Sequence, residues 1–259
     1  MSFMKVTVCA MRDGEAEFKE DWDGLLAHVK EQKSDLVLLP EVPFAPWPMW
    51  TDNVDQSVWL ASVEAHDVWI GRLEEFAPAV VLGTKAVIAN GENHNDGFVW
   101  DVEKGSRFAH RKYYLPNEPG FWEATWYRRG DKSFEAIDSG EAKVGFQICT
   151  ELWFTEHSRN YAKQGVHIIA APRATELSSA DKWLAGGRAA AVMSGAYCLS
   201  SNRIGTDING LEWGGHAWVI DPDGEVLGVT TEAEPFLTVE IDLAKAEAAK
   251  QGYPRDILE

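Results

Sequence analysis

Three polar side chains follow or interrupt apolar, strand-like runs, and their types suit covalent catalysis. Cys149 follows VGFQI, Glu41 follows LVLLP, and Lys112 lies within HRKYYLP. A thiol has an ordinary pKa of ~8.5, so it needs a base or a cation beside it to act as a nucleophile near neutral pH. A glutamate and a lysine are groups that supply these functions. The sequence therefore predicts a cysteine nucleophile assisted by Glu41 and Lys112.

Each of these residues also has an ordinary structural interpretation. Free cysteines often act as small buried hydrophobes, and we expect this of Cys9 and Cys198, which lie inside apolar runs. Cys149 is instead expected at the exposed end of a buried strand. A strand-end glutamate is often solvated, but the apolar run before Glu41 is typical of a buried strand that delivers its last side chain into the protein. Burial would favour the acid form of this carboxyl, which suits a proton shuttle. Lys112 would ordinarily be a surface cation, but its aromatic neighbours make a buried ammonium plausible.

The three junctions, together with segment 112–131, resemble the nitrilase (carbon–nitrogen hydrolase) superfamily over nearly the whole chain. The resemblance implies a Glu-Lys-Cys triad in which Glu41 is the general base. It also implies that Lys112 and the backbone N–H of Thr150 stabilise the oxyanion. No metal or other cofactor is expected.

A further carboxylate is implied by the same resemblance. The segment KYYLPNEPGFWEATWYRRGD is similar to a loop of amide- and carbamoyl-cleaving branches, in which a second glutamate precedes an aromatic pair and a Gly-Asp. By that spacing Glu123 matches the carboxylate that positions the substrate and the lysine. Glu118 is the alternative, because other branches place this group closer to the lysine.

Arg173 is the candidate for substrate selection. It follows another apolar run, in AAPRAT, and is expected at the same sheet edge as the nucleophile. An arginine there could bind a substrate carboxylate with two parallel hydrogen bonds. The alternative is a structural salt bridge to Glu151 or Glu176.

Three aromatic residues, Trp47, Trp153 and His216, could line the pocket, although aromatics at such positions are also common in cores. The residues after Cys149 read Thr-Glu-Leu-Trp. They lack the arginine that D-carbamoylases carry beside the nucleophile. This difference leaves the identity of the substrate undecided but does not change the predicted type of reaction.

The resemblance implies hydrolysis of a small amide or N-carbamoyl substrate through a thioester, with release of ammonia or an amine. A nitrile hydrolase is the alternative, disfavoured because true nitrilases usually carry a longer C-terminal extension than the tail here. A catalytically silent binding homologue would be expected to have lost one of the four site residues, and all four are present: Glu41, Lys112, Glu123 and Cys149.

Composition limits the partners. The 24 Lys and Arg against 41 Asp and Glu give a formal charge of −17, which argues against nucleic acid and anionic membranes as partners. The start of the chain does not have the pattern of a signal peptide, and no apolar stretch approaches the ~18 residues of a membrane span. Three cysteines without disulfide or metal spacing fit a cytoplasmic protein. The resemblance and the 12 tryptophans predict a homodimer or larger homo-oligomer.

The hydrophobic pattern predicts one α/β domain over residues 1–259. Strands are expected at 3–10, 36–40, 79–90, 97–103, 134–138, 143–148, 166–171, 196–202, 215–220, 226–229 and 236–241. Helices are expected at 17–33, 54–76, 156–164, 180–195 and 243–251. Residues 90–97 have the composition of a turn, and the three prolines of 42–50 predict a rigid loop. The resemblance adds the arrangement, a four-layer α-β-β-α sandwich.

Overall fold

Strands and helices alternate along the chain in a computed structural model that describes residues 3–257. The strands within that range are β1 (Phe3–Arg12), β2 (Leu36–Leu38), β3 (Val80–Ala89), β4 (Glu92–Asp101), β5 (Gly105–Arg111), β6 (Ile137–Ser139), β7 (Ala142–Phe146), β8 (Ile168–Ala170), β9 (Tyr197–Ser200), β10 (Asn202–Thr206), β11 (Glu212–Gly214), β12 (Trp218–Ile220), β13 (Val226–Val229) and β14 (Phe236–Asp242). The helices are α1 (Glu15–Gln32), α2 (Gln56–Ile70), α3 (Glu123–Trp126), α4 (Thr155–Lys163), α5 (Ala180–Ser194) and α6 (Leu243–Ala249).

The strands form two mixed sheets within the described residues. The eight-stranded sheet has the order β11-β10-β1-β2-β3-β4-β5, with β14 paired to β1. The six-stranded sheet has the order β13-β12-β9-β8-β7-β6. Strand β1 runs parallel to β2, and β7 runs parallel to β8. Because parallel strands end at one edge, the residues that follow β2 and those that follow β7 and β8 can be gathered into one site.

Apolar residues on both faces of the inner strands explain the layering. In β2, Leu36 and Leu38 belong to the core shared with the six-stranded sheet, whereas Val37 packs with Trp22 and Leu25 of α1. Successive side chains of a strand point to opposite faces, so such a strand must be covered twice. Helices α1 and α2 cover the eight-stranded sheet, and α5 covers the six-stranded sheet with α4 beside it. The predicted helix-sheet-sheet-helix sandwich is present.

The predicted turn between β3 and β4 is present, but its expected extent over 90–97 is wrong. Only Asn90 and Gly91, with φ of 54° and 79°, make the turn, and β4 begins at Glu92. Positive φ at both central residues is the requirement of a tight two-residue hairpin. The polar residues that follow are buried strand residues, and they have hydrogen-bond partners elsewhere in the chain.

Other boundaries also differ from the prediction. The helix expected over 54–76 is α2 followed by a short 3₁₀ turn at Leu73–Phe76. Strands β5, β10 and β11 were not predicted.

Eight of the 12 tryptophans are buried within this single chain, so their number does not by itself indicate an interface. No helix in the described part of the chain is long and apolar enough to cross a membrane.

Candidate active site

Cys149 occupies a sharp turn beyond the end of β7. The residue begins the 3₁₀ segment Cys149–Trp153 and has a φ of 49°, in the left-handed region that non-glycine residues rarely adopt. Its amide donates to the carbonyl oxygen of Pro172 at 3.0 Å. The expectation of an exposed strand end is wrong, because Cys149 is only 4% exposed. The turn places the thiol at the base of a cavity.

Lys112 joins two carboxylates that are distant in sequence. Its Nζ lies 2.6 Å from Oε1 of Glu41 and 2.6 Å from Oε2 of Glu123. All three residues are buried. An ammonium can remain charged in such a place only when paired, and here two carboxylates compensate one cation.

One carboxylate oxygen of Glu41 has hydrogen-bond partners, and the other has none among the described residues. Oε1 accepts from Lys112 and, at 2.8 Å, from Nδ2 of Asn95. Oε2 is buried and has no hydrogen-bond partner among residues 3–257. A buried acceptor without a donor is costly and uncommon in folded proteins. The unoccupied oxygen is therefore available to a proton from a reacting group.

Glu123 lies at the start of α3 and is held by its own helix. The hydroxyl of Tyr127, four residues later, donates to the same Oε2 that accepts from Lys112. Residues four apart share one side of a helix, which brings the phenol over the carboxylate. The predicted group of Glu41, Lys112 and Glu123 is thus gathered in one place.

Burial governs the electrostatics of the cluster. Burial raises the pKa of the Cys149 thiol, with the Glu41 carboxylate adding to the effect and Lys112 opposing it. Burial alone would lower the pKa of Lys112, but Glu123 and Glu41 raise it well above its ordinary value. Burial also raises the pKa of Glu123, from 4.5 to about 7, against the pull of Lys112. These effects favour a neutral thiol at Cys149 and a charged ammonium at Lys112.

A cavity of about 270 Å³ opens over Cys149. Its walls include Glu118, Phe121, Glu123, Thr150, Trp153 and Lys182. Thr150 is the second residue of the 3₁₀ segment, where backbone N–H groups lack partners within the helix. Cys149 and Thr150 therefore both lie in the wall of this cavity.

Two residues predicted to line the pocket lie elsewhere. Trp47 is buried behind the wall, where its Nε1 donates to the carbonyl of Gly120 at 3.0 Å and its ring packs edge-on against Phe121. His216 is exposed and outside the lining of this cavity, in the part of the chain that the structure describes. Trp47 supports a lining residue, whereas Trp153 and Glu118 reach the cavity directly.

Arg173 is enclosed by the protein. Its guanidinium donates to Ser200 Oγ at 2.7 Å, to Thr175 Oγ1 at 2.7 Å and to the carbonyl of His216 at 2.9 Å. The group also lies 3.9 Å from the centre of the Trp218 ring, and the residue is 1% exposed. A grip on a substrate carboxylate is at odds with this placement, because each of the three guanidinium nitrogens already donates to the protein and the cavity lining does not include Arg173.

The predicted alternative for Arg173, a salt bridge, is also wrong. Glu151 accepts instead from His110 at 2.9 Å, and Glu176 accepts from Ser178 at 2.6 Å. Within the described residues Arg173 has no carboxylate in ion-pair contact, and burial lowers the pKa of Arg173 to about 9. It is a cation held by hydroxyls, a carbonyl and an aromatic face.

Asn95 and Tyr127 belong to the site and were not predicted. Asn95 was hidden by the turn-like composition of its strand. Tyr127 follows Glu123 by four residues, a spacing that indicates contact once α3 is known. Among residues 3–257 no group of three or more His, Cys, Asp or Glu side chains could hold a metal ion.

Known proteins resemble this chain in sequence and in fold. The family model for "Carbon-nitrogen hydrolase" matches residues 5–251. An N-carbamoylputrescine amidase of Solanum tuberosum is 28% identical over 180 residues, which are 64% of this chain and 60% of that protein. An omega-amidase of Mus musculus is 30% identical over 170 residues, 63% of this chain and 61% of that protein. The chain thus matches about three fifths of the length of these relatives.

A solved structure shows the same fold. The crystal structure of a carbon-nitrogen hydrolase from Helicobacter pylori G27 superposes with a TM-score of 0.88 at 22% identity, covering 98% of this chain and 94% of that one. At this identity the likeness concerns the fold, and it confirms the predicted four-layer sandwich.

Proposed function

The chain belongs to the carbon–nitrogen hydrolase family, a member of the nitrilase superfamily, and we propose that it hydrolyses a small amide or N-carbamoyl substrate through a thioester on Cys149. The amidase names of its relatives support a C–N bond as the point of cleavage. The cavity over Cys149, about 270 Å³, suits a small substrate.

The free oxygen of Glu41 is the observation that carries this proposal. Oε2 is buried without a partner, while Oε1 is fixed by Lys112 and Asn95. Because burial raises the pKa of the Cys149 thiol, the nucleophile needs a base at the moment of attack. The oriented carboxylate of Glu41 supplies one in the same buried cluster.

The first half-reaction forms the thioester. Glu41 takes the thiol proton as Sγ of Cys149 adds to the carbonyl carbon, and the carbonyl oxygen becomes an oxyanion. The Lys112 ammonium and the Thr150 amide stabilise that charge. Glu41 then returns the proton to the departing nitrogen, the C–N bond breaks, and ammonia or an amine leaves.

The second half-reaction restores the enzyme. Water enters the place of the leaving group and loses a proton to Glu41 as its oxygen adds to the thioester carbon. The C–S bond breaks, the acid product leaves, and the sulfur recovers the proton. Glu123, hydrogen-bonded to Lys112 at 2.6 Å, keeps the ammonium oriented through both halves.

Mass spectrometry of quenched enzyme tests the proposal. Short aliphatic amides, dicarboxylic monoamides, carbamoyl amines and nitriles are screened for release of ammonia or amine, and the best substrate is mixed with enzyme and quenched in acid. We expect an acyl adduct on the peptide that carries Cys149. Cys198 is the matched control thiol, since it is also buried and has a raised pKa.

The thioester mechanism and its alternatives predict different outcomes. An adduct on Cys149 that is absent in Cys149→Ala and present in Cys198→Ala supports the thioester. Turnover that survives in Cys149→Ala contradicts it. Release only from nitriles would favour the nitrile hydrolase alternative.

Three broader expectations stay proposals. We propose one domain over 1–259, supported by a family match to residues 5–251. A reducing, cytoplasmic compartment is supported by three free, buried cysteines. A homodimer or larger assembly rests on the family resemblance, and sedimentation at micromolar concentration tests it against a 28.8 kDa monomer.

A further inference from the structure

Glu151, two residues after the nucleophile, binds the backbone on both sides of the site. Its Oε1 accepts from the amide of Tyr113 at 2.7 Å, and its Oε2 accepts from the amide of Ile148 at 2.8 Å. Tyr113 directly follows Lys112, and Ile148 directly precedes Cys149. One buried carboxylate therefore ties the segment that carries the cation to the segment that carries the nucleophile.

His110 completes this arrangement with a positive charge. Its Nε2 lies 2.9 Å from both oxygens of Glu151, and its Nδ1 lies 2.9 Å from the carbonyl oxygen of Ser133. Both partners are acceptors only, so both ring nitrogens must donate, and the ring is an imidazolium. The pair is buried, with side-chain exposures of 1% for His110 and 0% for Glu151.

Neighbouring charges are consistent with that state. Although burial favours the neutral ring, Glu151 and then Asp131 raise the pKa of His110. His157 lies across the ring of Phe134 from His110, and its pKa is lowered by burial and, to a smaller extent, by the positive charge of His110. A carboxylate that accepts from two amides and a cation has its lone pairs satisfied, so it is held in one orientation.

We propose that the buried His110–Glu151 ion pair is a positioning device that fixes Lys112 relative to Cys149. The role rests on the proposed function, because it serves that reaction. Both residues lie outside the lining of the cavity over Cys149, in the described part of the chain, so they act through the backbone and not on the substrate. Fixing the ammonium and the thiolate in one frame keeps the oxyanion site aligned as charge develops.

Two substitutions separate the elements of this device. Glu151→Gln keeps the shape but places an NH₂ group where one oxygen stood, so it must face the amide of Tyr113 or that of Ile148 and break one of the two ties. His110→Gln removes the cation and leaves both backbone ties possible. The second variant is the milder one and serves if the first does not fold.

Asp221 provides a matched control outside the lining of the cavity over Cys149. Its carboxylate, 2% exposed, accepts from the amides of Asp223 and Glu225 at 2.9 and 2.8 Å and from Lys245 at 2.5 Å. Asp221→Asn therefore disrupts a buried, backbone-binding carboxylate and its ion pair with the half-exposed Lys245, in the turn between β12 and β13 of the six-stranded sheet. It measures what loss of stability alone does to activity.

We expect Glu151→Gln and His110→Gln to lower kcat by about tenfold or more with KM within about threefold, because misplacement of reacting groups affects the transition state. Alkylation of Cys149 by iodoacetamide, followed by peptide mass spectrometry against pH, should change in rate or midpoint in both variants. Asp221→Asn should lower Tm while leaving kcat and the alkylation profile unchanged.

Two results would overturn the proposal. One is wild-type kcat and alkylation in both His110→Gln and Glu151→Gln. The other is a loss of activity that follows Tm in all three variants. If the wild type hydrolyses no C–N bond, the proposed function fails, whereas the alkylation profile still decides whether the ion pair positions the thiol.

Discussion

The carbonyl oxygen of Arg173 accepts a hydrogen bond from the amide of Glu41 at 3.1 Å. The preceding carbonyl, that of Pro172, accepts from the amide of Cys149 at 3.0 Å. Pro172 and Arg173, shortly after β8, therefore hold Glu41 from one sheet and Cys149 from the other. This backbone link, and not the Arg173 guanidinium, connects Arg173 to the chemistry.

Left-handed backbone occurs at or directly after both Glu41 and Cys149. Val42, directly after Glu41, has a φ of 45°, and Cys149 has a φ of 49°. A β-branched residue in this region is unfavourable and persists only when its surroundings impose it. Arg203 does so here, since its guanidinium donates to the carbonyls of Glu41, Val42 and Ala45.

Cys149→Ala is expected to abolish turnover and keep the fold. The change removes only a sulfur atom from the base of a cavity, so Tm should fall by no more than a few degrees, corresponding to about 1 kcal/mol. Steady-state activity and thermal unfolding measure the two effects. Cys198→Ala removes a similarly buried thiol and should keep activity. Activity within about tenfold of wild type in Cys149→Ala would contradict the assignment of the nucleophile.

Glu41→Gln should impair turnover more than binding. Glutamine preserves shape and an acceptor for Lys112 but cannot take the thiol proton, so we expect kcat to fall by about 10²–10⁴ with a smaller change in KM.

Lys112→Met should lose the oxyanion cation and leave Glu41 and Glu123 buried without their counter-charge, lowering both kcat and stability. Rapid-quench single turnovers measure the chemical step. Weaker binding with an unchanged single-turnover rate would refute the roles given to these residues.

The site residues that follow apolar runs were predictable from sequence. Glu41 and Cys149 each follow a buried run, and the position of α5 was predicted to within one residue because its small residues lie between clear boundaries. Asn95 was not predictable, because a run of Asn, His and Asp is typical of a turn. Such polar residues can lie in a buried strand only because the fold brings hydrogen-bond partners to them. For Asn95 that partner is Glu41.

The supporting contacts of the site lie beyond sequence reasoning for a related reason. His110 and Glu151 are 41 residues apart, and Arg203 lies 162 residues from Glu41. Neither spacing carries a local signal, since both depend on how two sheets meet. The same limit explains why the sequence left Arg173 open between a substrate ligand and a structural residue: its position near a strand end was predictable, but the enclosure of its guanidinium was not.

Glu123 is expected to make stability depend on pH. Burial raises its pKa from 4.5 to about 7, so the folded protein binds this proton more tightly than the unfolded chain does. Its contribution to the free energy of unfolding is present in full below the unfolded value and is lost as pH rises through about 7, by at most ~3 kcal/mol. Urea unfolding of wild type and Glu123→Gln between these pH values measures the difference. Parallel stability curves for the two proteins would show that Glu123 titrates normally.

Selectivity for acidic substrates should depend on Lys182 and not on Arg173. Lys182 is an exposed cation in the cavity wall, whereas Arg173 is buried and binds Ser200, Thr175 and the His216 carbonyl. Lys182→Ala should therefore weaken a dicarboxylic monoamide more than a neutral amide, by up to ~1 kcal/mol for an exposed ion pair. Arg173→Ala should lower stability and reduce kcat/KM for both substrates alike, because it leaves buried hydroxyls without their donor.

The comparison uses kcat/KM for one neutral amide and one dicarboxylic monoamide in wild type and both variants, with Tm measured in parallel. A loss confined to the acidic amide in Arg173→Ala would restore this arginine as the carboxylate ligand. That result would require the guanidinium to leave its three protein acceptors and reach the cavity, a rearrangement that a structure with the bound monoamide would reveal. Equal losses on both substrates in Lys182→Ala would exclude the exposed cation as the selecting group.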